Sequence, residues 1–582
     1  MFKNKPARKL MMSERTGVIM AVFFILGGLA IGRLFYLQII RHSGYREESL
    51  GQHQLDREIL QSRGEIFMHD YKNNELVPLV INRDMGLLFI VPKEIIDKEK
   101  TANDLAEVLE SDEVKREELK ADILTKAGKP GDPYEPIRHK VEPETMDKIK
   151  NLKLPGVYFE SELVRYYPEK ESAGQLTGFL GFTGEEQVGQ YGIEGYFEKD
   201  LAGERGRILA DKDVAGRLIT ATEKELKEAE DGADIILTID RVVQGKAYEF
   251  IKEATETSEA QSGVMIVMEP KTGRIQALAG YPSFDPNNYG QVEDIKNYRN
   301  LAVSEAYEPG SIFKVITMSA GLDSGAVQAG DTFTDTGETR IGPDIIRNAD
   351  NKKYGQVSMT GILENSINNG TVFIAQKTGR ETFKEYVENF GFGRLTGIEL
   401  TGEATGNISS LSEKREIYLA TASFGQGLTV TPIQMAAALS TIVNNGRLVK
   451  PRIVDYLKKD EKQLEEAEDK NGEQIISGQN AEIVKAMMVS VVKNGHAKRA
   501  QVVGYNIGGK TGTAQIAEPG AAGYSESTNH SFIAFGPLED PRFVIVVKLL
   551  KPQRQWAEST AVPPTANMIK FLLQYYQIPP EN

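Results

Sequence analysis

From Gly17 to Ile40 the chain is almost continuously apolar, interrupted only by Arg33, Gln38 and glycines. About 20 such residues span a bilayer as a helix, so the run predicts a membrane anchor. Lys3, Lys5, Arg8, Lys9 and Arg15 precede it, and this basic flank predicts a cytoplasmic amino terminus with the remainder outside. A cleaved leader, with Gly28-Leu29-Ala30 as its small-residue site, is the competing reading; the apolar run continues past that site. Beyond the anchor the pattern becomes mixed and charged to about residue 225, with a short strand at 87–91 and one amphipathic helix at 102–124. Residues 223–231 read as an acidic, helix-like connector, after which 235–240 opens a new strand and an amphipathic helix. Alternating or continuous apolar runs predict strands at 264–268, 275–279, 502–507, 531–535 and 543–549. Helical periodicity fills 311–323, 359–367, 371–378, 432–444, 479–493 and 565–576. A dense run of mixed charge at 460–473 reads as a solvated loop.

At 582 residues the chain is too long for one core and predicts two or more domains. Its composition, 40% apolar and 26% charged, is that of a globular protein. A net charge of −14 argues against nucleic acid as a partner. With no cysteine, disulfides, a thiolate nucleophile and Cys-type zinc sites are excluded. Six scattered histidines in no His-Glu-x-x-His pattern predict no metal and no cofactor. His530 is the only one near a candidate motif, and it reads as a loop residue packing beside the site.

The candidate chemistry centres on Glu308-Pro309-Gly310-Ser311-Ile312-Phe313-Lys314. Pro309 and Gly310 break what precedes, and the apolar run from Ile312 predicts a helix entering the core with Ser311 in its first turn. Positions i and i+3 share a helix face, which puts the Lys314 amine near the Ser311 hydroxyl. Apolar surroundings and the helix end lower a lysine pKa, and a neutral amine can take the serine proton. Ser490-Val491-Val492-Lys493 repeats the spacing, so companion motifs must decide. Ser366-Ile367-Asn368 and Ser527-Thr528-Asn529 both fit Ser-x-Asn, and Lys271, Lys377 and Lys510 each precede Thr-Gly. Lys271-Thr272-Gly273 reads as a hairpin turn and Lys377-Thr378-Gly379 as a helix end. Lys510-Thr511-Gly512 follows the strand-like 502–507 and is ringed by Gly508, Gly509 and Thr513, which lets a ligand approach the backbone.

In the order Ser311 with Lys314, Ser366 with Asn368, then Lys510-Thr511-Gly512, the chain resembles the penicillin-binding proteins and serine β-lactamases. Gly509 to Gln515, Gly425-Gln426-Gly427, Thr431-Pro432-Ile433-Gln434 and His530-Ser531-Phe532 narrow the resemblance to class B penicillin-binding proteins. So do three amino-terminal boxes: Ser62 to Ile66, Arg165-Tyr166-Tyr167-Pro168, and Gly192 to Tyr196 with Leu201-Ala202-Gly203. The first box departs from the family pattern, with Phe67-Met68-His69-Asp70 after the isoleucine. The resemblance implies an α+β protein with a single transmembrane helix, an elongated pedestal domain and a β-lactamase-like transpeptidase domain, the last an antiparallel sheet flanked by helices plus an all-helical part. The corresponding limits are 1–16 for a cytoplasmic tail, 17–40 for the anchor, 41–225 for the pedestal and 226–582 for the transpeptidase domain.

By the same resemblance Ser311 is the acylated nucleophile and Lys314 its base, Ser366 passes the proton to the leaving amine, and Asn368 binds Lys314 and the substrate amide. Lys510, Thr511 and Thr513, around Gly512, receive the carboxylate of a D-alanyl-D-alanine stem peptide, and the Ser311 and Thr513 amides form the oxyanion hole. Implied partners are peptidoglycan stem peptides, β-lactams and the cytoplasmic membrane, with other cell-wall synthesis proteins left open. The implied activity is D,D-transpeptidation at the cell membrane. A D,D-carboxypeptidase, a serine β-lactamase, a β-lactam sensor and a non-catalytic scaffold are the alternatives.

Overall fold

The computed structural model describes residues 14–42, 54–59, 61–129, 131–184, 186–211, 225–459, 462–466, 472–518 and 523–581. The basic residues Lys3, Lys5, Arg8 and Lys9 and much of the charged run 460–473 lie outside the described residues. Contacts group the chain into two compact units, Met1–Ser62 with Gly203–Asp231, and Arg63–Ala202 with Gly232–Asn582.

In the first unit the apolar run forms the α-helix Glu14–Phe35, continued by a π-helical turn at Tyr36–Ile40. Its 24-residue apolar span, Gly17–Ile40, is unburied, as suits a helix whose solvent is lipid, and among the described residues it is the one helix long and apolar enough to cross a membrane, which fits a single-pass membrane protein. The unit also holds an antiparallel sheet in the order Gln54–Ile59, Gly206–Asp211, Glu225–Lys227. The expected helix-like connector is therefore wrong over its described part: Glu225–Lys227 is a strand. Pairing overrides the local charge pattern, with Arg207 opposite Lys227 and a Glu204–Glu230 bridge extending the ladder.

In the second unit, a mixed sheet runs in the order Lys462–Glu466, Val454–Lys459, Asp234–Asp240, Ile66–Asp70, Glu75–Ile90, Glu135–Val141, and Val157–Tyr166 also pairs with Glu75–Ile90. Ile66–Asp70 lies parallel to Asp234–Asp240, so one ladder joins strands far apart in the chain. The strand expected at 87–91 is much longer, because its first half pairs with Ile66–Asp70 and its second half with two later strands. The helix expected at 102–124 is two, Lys98–Leu109 and Glu113–Ala127. Asp112 divides them by capping the second, its carboxylate accepting from the amides of Val114 and Lys115. These helices cover the strands over a small core that includes Leu88, Ile90, Leu105, Ile123 and Ile149.

All three amino-terminal boxes meet at one carboxylate. Glu194 is fully buried; Oε2 accepts from Arg63 Nη2 (2.5 Å) and Nε (3.0 Å), and Oε1 from Arg165 Nε (2.6 Å) and Tyr167 Oη (3.3 Å). Burial alone raises its pKa; Arg165 and Arg63 outweigh burial and hold it below the ordinary value.

A five-stranded sheet is antiparallel throughout, ordered Ile275–Tyr281, Ser262–Met268, Phe543–Leu550, Tyr524–Gly536, Gly508–Ala517. Arg241–Thr257 and Val562–Tyr575 cover one face, and Pro432–Val443 and Gly478–Asn494 pack on the other. The strand expected at 502–507 is displaced. Gly504 reverses the chain at φ +84°, Val503 is exposed, and Tyr505 Oη donates to the Ile578 carbonyl at 2.6 Å. The strand begins at Gly508 and carries the Lys-Thr-Gly motif itself.

Glu194→Ala leaves two guanidinium groups without their shared buried anion, and the expected loss is about 3–5 kcal/mol of stability, read by denaturant unfolding of the full chain. Because the folded-state pKa is depressed, the wild-type contribution is present above the ordinary carboxylate pKa of 4.5 and is lost as pH falls below it. Wild type and variant therefore converge in acid.

Candidate active site

Ser311 sits in the 3-10 turn Gly310–Phe313, and Lys314 opens the α-helix Lys314–Asp323 that follows. Gly310 makes this turn possible in two ways. Its φ is +59°, and an added Cβ would lie 2.7 Å from Ala514 Cβ on the strand Gly508–Ala517. At Gly512 a Cβ would lie 2.5 Å from Ser531 Oγ and 3.0 Å from Ile312 Cγ2. The strand and the serine turn thus touch with no side chain between them.

Lys314 is fully buried, and its Nζ donates to the Ser366 carbonyl (2.5 Å), Asn368 Oδ1 (2.7 Å) and Ser366 Oγ (3.3 Å). These bonds run to the 366–368 segment, while Ser311 stands one turn earlier at the groove wall. Ser366 lies between the helices Met359–Glu364 and Asn368–Thr378 with φ +53°, a left-handed conformation costly for a residue with a Cβ. Asn368 Nδ2 donates to the Arg347 carbonyl at 3.0 Å, which turns Oδ1 toward the lysine. From the opposite side Lys510, also fully buried, donates to Ser366 Oγ at 3.0 Å and to the Thr511 carbonyl at 3.0 Å. One hydroxyl therefore bridges two buried amines.

Neither amine has a carboxylate among its hydrogen-bond partners. Burial, and then the charge on Lys510, holds Lys314 well below the ordinary lysine range. Burial brings Lys510 down to about 7, opposed by Glu558. A fully buried amine of that kind gives up or accepts a proton near neutrality.

Ser311, Ser366, Asn368, Thr511 and Thr513 line one groove of about 1330 Å3. Gly512 lies behind it against Ile312, and Thr513 Oγ1 accepts from the Ala557 amide at 3.3 Å. The same groove is lined by Arg347, His496, Glu526, Arg554 and Trp556, none of which the motifs identify. They are loop or strand-end residues with no fixed spacing to a motif. Only Trp556, the one tryptophan of the chain, carried a compositional signal.

The second Ser-x-x-Lys and the other two Lys-Thr-Gly runs are engaged elsewhere, whereas Ser527 and Thr528 of the second Ser-x-Asn line the same groove as Ser311. Ser490 Oγ donates to Glu364 and Lys493 Nζ to Asn506, and neither residue lines the groove. Lys271-Thr272-Gly273 turns between two antiparallel strands, and Gly379 follows the helix ending at Thr378. His530 is a buried strand residue and not a loop residue; Thr560 and Thr528 hydroxyls flank its ring at 2.8 and 3.0 Å. Burial lowers its pKa to about 4, which leaves it neutral at physiological pH.

An antiparallel sheet between helices, with a serine turn against its edge strand, defines the serine transpeptidase class of fold. Residues 263–570 match the penicillin binding protein transpeptidase domain, and residues 58–237 match the penicillin-binding protein dimerisation domain. Stage V sporulation protein D of Bacillus subtilis is 33% identical over 94% of this chain and 83% of its own length. The probable peptidoglycan D,D-transpeptidase PenA of Neisseria meningitidis is 30% identical over 92% of this chain and 87% of its own. Among solved structures, penicillin binding protein 3 from Mycobacterium tuberculosis, complexed with aztreonam, superposes with a TM-score of 0.69 at 24% identity, covering 90% of this chain and 98% of that one. A peptidoglycan synthetase from Bifidobacterium adolescentis gives 0.69 at 27% identity, covering 91% and 98%. The chain belongs to the penicillin-binding protein transpeptidase family, and its two matched domains make it a class B member.

Lys510→Met replaces a buried amine by a side chain of similar length, so the fold should gain about 1–2 kcal/mol while the site loses its chemistry. The cost of the depressed lysine is greatest below about pH 7 and fades as pH approaches the ordinary value of 10.5. Thermal unfolding should accordingly show the stabilisation in acid and lose it in alkali; destabilisation at every pH would contradict it.

Proposed function

We propose that this protein is a peptidoglycan D,D-transpeptidase that cross-links stem peptides through an acyl-enzyme on Ser311 and releases D-alanine. The observation that carries this reading is the shared hydroxyl of Ser366, 3.3 Å from the Lys314 amine and 3.0 Å from the Lys510 amine, beside a groove lined by Ser311. Family membership and the names of the relatives support the substrate class.

The reaction divides into two acyl transfers. Neutral Lys314 takes the Ser311 proton as Oγ attacks the penultimate D-alanine carbonyl. The amides of Ser311 and Thr513 receive the oxyanion, an arrangement worth about 3 kcal/mol per donor. As the C–N bond breaks, the proton passes from Lys314 through Ser366 to the departing amine. Asn368 holds Lys314 in line and binds the substrate amide. Thr511 and Thr513 hydroxyls, with the Lys510 charge behind them, receive the terminal carboxylate. An acceptor amine then attacks the ester, and Ser311 regains its proton. A β-lactam presents a carbonyl and a carboxylate in a related arrangement and acylates the same oxygen. The amino-terminal basic flank supports a cytoplasmic tail with the catalytic domain outside the membrane. The pedestal at 41–225 and the catalytic domain at 226–582 are the division that best suits these roles.

Peptide mass mapping after reaction with penicillin tests the nucleophile. The adduct is expected on Ser311 and not on Ser490, and Ser311→Ala should abolish it together with any penicillin-induced change in Trp556 fluorescence. Labelling that survives in Ser311→Ala and vanishes in Ser490→Ala would assign the site elsewhere.

The fate of the acyl-enzyme tests the reaction class. A serine β-lactamase needs a base to activate water against the ester, and no segment here resembles the glutamate-bearing loop of the class A enzymes. The penicilloyl enzyme should persist for many minutes, and a donor stem peptide should pass to an added amine in preference to water. Rapid turnover of penicillin would identify a β-lactamase, and D-alanine release without amine incorporation a carboxypeptidase.

A further inference from the structure

A buried carboxylate that the reaction above does not use lies behind the Ser366–Asn368 wall. Asp335 ends the short strand Thr332–Asp335 and is fully buried. Its Oδ1 accepts from Asn369 Nδ2 (3.1 Å) and the Gly337 amide (3.2 Å), and its Oδ2 from Asn348 Nδ2 (2.8 Å) and the Tyr354 amide (2.9 Å). All four donors are uncharged. Only an ionised carboxylate, which accepts at both oxygens and donates at neither, satisfies them together. Burial raises its pKa, and these hydrogen bonds outweigh that and keep it below the ordinary value.

The network reaches the site through two neighbouring asparagines. Asn348 Oδ1 accepts from the backbone amide of Asn369 at 3.2 Å, while Asn348 Nδ2 binds Asp335 and also the Lys352 carbonyl at 3.0 Å. One residue earlier on each side, the Arg347 carbonyl accepts from Asn368 Nδ2, whose Oδ1 receives Lys314. Residues 347 and 348 thus grip residues 368 and 369, and Asp335 holds Asn348 and Asn369 at once. The grip matters because Ser366, two residues before Asn368, keeps a left-handed backbone only where its surroundings impose it.

We propose that Asp335 is a positioning residue: through Asn348 and Asn369 it fixes Asn368 Oδ1 on the Lys314 amine and Ser366 Oγ between the two lysines, and so sets the rate of acylation at Ser311. The inference rests on the proposed reading of the site.

Asp335→Asn keeps the shape but turns an NH2 group toward two of the four donors. In the full-length protein in detergent, the second-order rate of penicillin acylation should fall about 10–100-fold, the scale of a misplacement near 1 Å. The acid limb of the acylation profile should move to lower pH, because an ammonium that loses an acceptor is less stable and Lys314 deprotonates more readily. A role in folding alone lowers the melting temperature and leaves that limb in place. Should Asp335→Asn fail to fold, Asn348→Ala keeps the carboxylate with its three other donors and should show the same two effects in weaker form. Wild-type labelling at Ser311, with a variant unchanged in rate and acid limb, overturns the inference and leaves the reading of the site standing. A wild-type protein that penicillin does not label overturns the reading and the inference with it.

Discussion

Two amines buried on either side of one hydroxyl are the constraint on which the catalytic domain depends. Two ammonium groups within 3.3 and 3.0 Å of the same oxygen repel, and burial adds a further penalty to each. The relief available is to share fewer than two protons, and Ser366 is the group across which they can be shared. Much of the surrounding architecture serves to hold that geometry. Lys314 is delivered by the start of a helix, Lys510 by an edge strand, and Ser366 by a strained link between two helices. Glycines at 310 and 512 let the helix turn and the strand approach closely enough for both amines to reach it.

The pedestal part of the same unit handles buried charge in the opposite way. Glu194 is surrounded by Arg63, Arg165 and Tyr167, and its charge is compensated within 3.3 Å. Nothing there is poised to move a proton. Asp335 is an intermediate case, an anion held by neutral donors alone, which fixes direction without introducing a cation beside the lysines. Buried charge thus meets three chemical requirements: titration near neutrality at Lys510, cohesion at Glu194 and orientation at Asp335.

Much of the site was legible in the sequence because its motifs combine fixed spacing with context. Lys314 opens the helix that the apolar run announced, and its amine meets Ser366 and Asn368 while Lys510 reaches the same hydroxyl, companions that the family resemblance named. The apolar span was equally plain from its length, and most helices of the catalytic domain from the periodicity of their apolar residues. What escaped depends on pairing between distant segments. Glu225–Lys227 looks helical until its partner strand is known, and the strand Glu75–Ile90 owes its length to three different neighbours. Residues 502–507 have strand composition, yet Gly504 and contacts with the carboxyl-terminal end fold them into a turn. Asp335 carries no local pattern, because its place is set by what folds around it.

The parallel pairing of Ile66–Asp70 with Asp234–Asp240 bears on the order in which the chain becomes stable during synthesis. The Glu65 amide finds its acceptor in Asp234, 169 residues later. At a ribosomal rate of about 5–20 residues per second, the early strand waits roughly 8–34 seconds for its partner. For that interval its edge is open to any passing strand, including another nascent copy of itself. The amino-terminal strand is therefore first to emerge but not first to be finished, because the ladder that closes its edge is completed only when Asp240 has been made.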